Sequence, residues 1–147
     1  MRISLRAGPI AACLSLALSP SPGWAQKAPE WMQLGKVDKA NELLLSGRFA
    51  DAIPVAKSQL AAAEAAVGPN HPDLLPHLHT LGTAYLGRQA FDDAEPVFKR
   101  ALEIAERSFG RVDQRTIAAA NDLVALYMMD QRPAEAKEMM KRANPRP

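Results

Sequence analysis

The chain repeats itself at a spacing of 42 residues, and that spacing limits its fold more than any other feature. Ala52, Ala94 and Ala136 share one register. Around them Phe49 matches Phe91, Asp51 matches Asp93, and Pro54 matches Pro96. Leu60 pairs with Leu102, Glu64 with Glu106, Gly68 with Gly110 and Tyr85 with Tyr127. A register that keeps alanine, proline and glycine in step marks a duplicated structural unit. Such a unit cannot hide its apolar side alone, so neighbouring copies must stack.

Each unit reads as two helices. Leu78, Leu81, Gly82 and Tyr85 lie on one face of a first helix. "GRQA" interrupts it, and a second helix starts near Phe91 with Ala94, Val97, Phe98, Ala101, Leu102 and Ala105 on its apolar face. Asp92, Asp93 and Glu95 suit the positive end of that helix, and Gly110 ends it. Glu95–Lys99 and Glu103–Arg107 read as exposed i,i+4 ion pairs. Pro133 falls at a first helical position in the third copy. Two helices can approach closely only where side chains are tiny, which assigns the contact to Gly82 and Ala94, as to Ala40 and Ala52 one unit earlier. Aromatic residues make up only 5 % of the chain, so the core must come from Leu, Ala, Val and Met.

This pattern resembles the tetratricopeptide repeat, carried by Leu81, Gly82, Tyr85, Ala94, Phe98 and Ala101 and again by Leu123, Tyr127, Ala136 and Ala143. The 42-residue period, the long helix ending "ALEIAERSFG" and the linker "GPNHPD" are similar to the kinesin-light-chain type of repeat. The first copy departs from it: Lys39, Ala56 and Gln59 stand where the second has Leu81, Phe98 and Ala101. The expected fold is all-α, an antiparallel helix-hairpin array (α-solenoid) of about three units. The resemblance covers about residues 32–144, with units near 32–72, 73–114 and 115–144 and a short tail, 145–147.

The first 25 residues read as an export signal. "MRISLR" is basic, "AGPIAACLSLAL" is apolar, and Gly23-Trp24-Ala25 is a small–x–small ending. Residues 26–31 then form a short linker. The apolar stretch falls short of the roughly 20 residues a membrane span needs, so no stable membrane insertion is expected. The expected destination is the bacterial periplasm. A minor alternative is lipid attachment at Cys13, since Ile10-Ala11-Ala12-Cys13 resembles a lipobox, but the apolar run continues past the cysteine. With Cys13 removed, no disulfide can form. Lys and Arg number 18 against 16 acids. The surplus is Arg2 and Arg6, so the remaining chain is balanced and a nucleic-acid partner is not expected.

No catalytic, cofactor or metal site is expected. His77 and His79 point apart on a helix, and His71 sits in a linker. His71-Pro72-Asp73 matches the tripeptide of J-domain co-chaperones, but here it joins two units. No serine sits in a glycine elbow, and no phosphate loop occurs. The resemblance implies instead that the first helices line a concave face. Its inward positions are Val37, His79 and Asn121, then Asn41, Thr83 and Ala125, then Leu44, Leu86 and Met128. That surface, with the last row as an apolar anchor, suits a peptide or helix of a protein partner. The rival reading is that these side chains contact neighbouring helices. Val124, Met128, Met139 and Met140 form an apolar end on the third unit, where a homo-oligomer is possible. The expected function is a non-catalytic, exported interaction adaptor. The alternatives are a structural subunit of an envelope or secretion complex and, less favoured, a small metal protein or enzyme.

Overall fold

The computed structural model describes residues 38–143, which belong to one compact unit, Val37–Pro147. The export signal, the linker, Cys13, Val37 and the tail lie outside the described residues. Among the described residues there are six α-helices and no strand. They run α1 Lys39–Leu45, α2 Phe49–Val67, α3 Leu75–Gly87, α4 Phe91–Phe109, α5 Gln114–Met129 and α6 Pro133–Ala143, with a 3-10 turn, Pro72–Leu74, leading into α3. Each helix packs on the next, and α1·α2, α3·α4 and α5·α6 form three hairpins.

The repeat is visible in the backbone itself. The tight turns inside the hairpins put Gly47, Gln89 and Gln131 in the left-handed region, at φ 71°, 57° and 57°. After each of these turns one amide reaches back five residues: Arg48 N to the Leu43 carbonyl, Ala90 N to Tyr85, Arg132 N to Tyr127, at 2.8, 3.0 and 2.8 Å. The linkers between hairpins end alike. His71 Nδ1 accepts from Asp73 N at 3.2 Å, and Asp113 Oδ1 accepts from Arg115 N at 2.9 Å. His71 is thus the N-cap of its unit, the counterpart of Asp113, and satisfies an otherwise orphaned amide. Gly68 and Gly110, at φ 94° and 81°, end the two 19-residue helices. Pro54 and Pro96 sit inside those helices on exposed faces, where water can take the carbonyl whose helical partner is missing.

Ala40, Ala52, Ala94 and Ala136 are all essentially inaccessible. Gly82, however, is paired with Phe98 rather than with Ala94: a Cβ on Gly82 would fall on the Phe98 ring. Gly87, unnoticed in the sequence, does the same for Phe49, whose ring lies where a Cβ would be. These two rings in glycine-lined seats are how a chain with so few aromatics packs them. Ile104 joins the core from α4 although the apolar stripe read from the sequence omitted it. No described helix is long and apolar enough to cross a membrane.

Candidate functional site

The predicted face lies on α1, α3 and α5. Asn41, His79, Asn121, Ala125 and Met128 are exposed, while Leu44, Thr83 and Leu86 are half-buried. Leu86 packs against the main core and Leu44 against the smaller cluster of Leu43, Ala52 and Ala84. The apolar row is therefore uneven, with two leucines partly spent on the core and one free methionine.

Two of these residues also join hairpins. Thr80 Oγ1 lies 3.1 Å from Asn41 Oδ1 and 2.9 Å from the Pro76 carbonyl, linking α3 to α1. His79 Nδ1 lies 2.9 Å from Asp122 Oδ2, linking α3 to α5. That hydrogen bond raises the His79 pKa above its ordinary 6.5, against the opposing pull of partial burial. His71 caps its turn and His79 is held by Asp122, so these two histidines have separate structural partners. Among the described residues no three His, Cys, Asp or Glu side chains come together as metal ligands.

A cleft of about 510 Å³ opens beside His79. Pro72, Leu75 and Pro76 form one wall, Ala118 and Ala119 of α5 the other, and Ala101 and Phe109 of α4 the floor. Two of its rim charges are already committed. His79 holds Asp122, and Arg115 binds Asp113 with two nitrogens at 2.8 and 3.0 Å, while Asp73 stands exposed beside His71, whose Nδ1 already accepts the Asp73 amide. The Arg115 guanidinium also stacks on Phe109, 3.3 Å from the ring centre. This stack is a cation–π contact, and the Arg115 pair holds the Asp113 carboxyl at about 2.

Of the predicted face only His79 touches the cleft. The rest of it was missed because alanines read simply as helix formers. The signal was present in the repeat: Ala101 and Ala119 stand where the previous unit has Gln59 and His77, and Ala118 where it has Pro76. Small residues at all three positions leave a hole.

A second polar cluster ties α4 to the last hairpin. The Glu95 carboxylate accepts from Tyr127 Oη at 2.9 Å and Arg132 Nη1 at 2.7 Å, and it meets Lys99 Nζ at 2.6 Å. Glu95 was expected in an exposed pair. Its side chain is in fact only 17 % exposed, because the third hairpin closes over it. Lys99 first and Arg132 next lower its pKa to about 2, helped by Tyr127 and opposed by burial. This cluster holds two hairpins together.

Residues 36–107 match the family model described as tetratricopeptide repeat. No curated protein matches the chain.

Proposed function

We propose that this chain, a tetratricopeptide repeat protein over residues 36–107, is an exported, non-catalytic adaptor that takes a peptide or helix of a protein partner along α1, α3 and α5. Tetratricopeptide repeats suggest protein–protein interaction in general, and the accessible face of the first helices carries the narrower reading. Asn41, His79, Thr83, Asn121, Ala125 and Met128 remain accessible there, while Leu81, Tyr85, Leu123 and Tyr127 on the same helices are buried. Export rests on the basic, apolar and small-residue order of residues 1–25.

Photo-cross-linking in cells from Thr83 and Leu86 tests the adaptor, with exposed Arg107 as the control. A defined partner captured from the first two positions and not from the third is the expected result. Equal labelling from all three would remove the face. Fractionation of the same cells tests export, which requires a periplasmic chain shortened by residues 1–25.

A second reading, assembly as a structural subunit or homo-oligomer, is favoured by one observation. Met128, Met129 and Met140 are 56, 51 and 48 % exposed on the last hairpin. Sedimentation of the purified chain distinguishes the two, since a monomer across a wide concentration range excludes self-assembly.

A further inference from the structure

We infer that the cleft between α3 and α5 is an anchor pocket for one aromatic side chain of the partner. The inference rests on the adaptor reading and specifies what that site recognises.

Three observations select this occupant. The first is charge. Asp122 and Arg115 at the rim each have a partner within the chain, and Asp73 stands at its exposed edge. A charged ligand would have to break a pair to gain one, whereas an uncharged apolar group only displaces water from apolar walls.

The second observation is internal to the repeat. At the preceding junction the positions equivalent to Ala101, Ala118 and Ala119 carry Gln59, Pro76 and His77. Relative to that junction, the cleft lacks an amide, a pyrrolidine ring and an imidazole. The space left open has room for a whole side chain, and one of the three missing groups, the imidazole, is a flat ring.

The third is the floor. Val67 at the earlier junction becomes Phe109 here, an aromatic ring with Arg115 stacked on it. An entering ring meets an aromatic surface, with offset or edge-on packing available to it. Pro72 and Pro76 make the facing wall rigid, so little freedom is lost on binding.

The experiment is an NMR titration of the full chain with N-acetyl-phenylalanine amide, beside N-acetyl-lysine amide. Saturable shifts at Ala101, Ala118 and Ala119 with the phenylalanine probe alone are expected. Ala118→Leu fills the cleft from its exposed wall and should weaken binding about tenfold, a change of ~1.4 kcal/mol. Arg107→Leu, at the exposed control position outside the cleft, should bind as the unaltered chain does. Should Ala118→Leu fail to fold, Ala118→Gln tests the same wall with a polar side chain. Shifts centred elsewhere, equal response to both probes, or unchanged binding by the folded Ala118 variant would each overturn the inference. Cross-linking separates it from the adaptor reading. A partner captured at Thr83 and Leu86 whose binding ignores Ala118→Leu defeats the pocket alone. Probe binding with no captured partner defeats the adaptor alone.

Discussion

The two junctions between hairpins share one clamp and differ in what surrounds it. At the first, Arg100 of α4 binds Glu64 of α2; at the second, Arg142 of α6 binds Glu106 of α4 at 2.7 Å through Nε. Donor and acceptor are each displaced by one repeat. Beside this common clamp, the first junction has Ile53 and Ala90 where the second has Glu95 and Arg132. Ile53 and Ala90 are partly buried against the core, whereas Glu95 and Arg132 form an ion pair completed by Tyr127 and Lys99. One backbone geometry accepts either an apolar or a charged seam. The charged seam makes the second junction the one that responds to pH, and the three alanines that line its cleft leave it open.

The largest effect concerns packing within the hairpins, where the same two positions are filled three ways. The pairs are Ala40 with Ala56, Gly82 with Phe98, and Val124 with Met140. Phe98 is 1 % exposed, and Phe98→Ala should cost about 4 kcal/mol by urea denaturation. Gly82→Ala drives a methyl into the ring and should cost about 2 kcal/mol. The double variant rebuilds the first hairpin's pair, so its cost should fall clearly below the sum. Strict additivity would mean that the two positions are not one packing unit.

Next comes the charged seam. Glu95→Ala removes the acceptor shared by Tyr127, Lys99 and Arg132 and should cost about 2 kcal/mol. The combined replacement Glu95→Ile with Arg132→Ala imports the first junction's solution and should be nearly neutral, since apolar packing often substitutes for a partly buried pair. Acid sensitivity separates these variants. Glu95 has a depressed folded pKa, so its contribution is complete above about 4.5 and is lost as pH falls toward about 2. The apolar double variant should lose less stability than the parent over that window. His79 acts in the opposite direction. Its raised pKa makes the His79–Asp122 contribution complete below 6.5 and lost as pH rises through the folded value.

The shared clamp ranks third. Arg100 also donates to the Pro69 carbonyl, and its side chain is 33 % exposed against 39 % for Arg142. Arg142 in turn grips the less exposed Glu106 with two nitrogens, so Arg100→Ala and Arg142→Ala should each cost about 1 kcal/mol, with high salt weakening both. A loss at one junction more than twice that at the other would show that the two clamps are not equivalent.

What could be read before the structure follows from which interactions repeat. The alanine, glycine and proline register fixed the hairpins, because those residues answer to backbone geometry that recurs at every copy. Ile104 was missed because it lies beside the narrow stripe of Ala94, Phe98, Ala101 and Ala105, although it is buried in the same core. Glu95 was misjudged because four residues separate it from Lys99 in sequence, whereas Tyr127 and Arg132 arrive from the third hairpin. The candidate face could be numbered by register, but the cleft arises where three side chains shrink together, a difference between copies that a search for likeness passes over.

The smallest effect tests the register at its most local point. The turn inside each hairpin needs a left-handed residue, and only the first copy supplies glycine, Gly47; the others use Gln89 and Gln131 at φ 57°. A Cβ in that region is strained, and all three positions are exposed, so no buried contact offsets the strain. Gln89→Gly and Gln131→Gly should each stabilise the chain by about 0.5 kcal/mol, the relief of strain exceeding the extra freedom glycine gives the unfolded chain. Gly47→Gln should destabilise it by a similar amount. Thermal unfolding of the three variants checks both signs, and because the turns are repeat-equivalent the three shifts should agree in size. A Gly47 variant that melts no lower than its parent would show that the first turn relaxes in a way the other two do not.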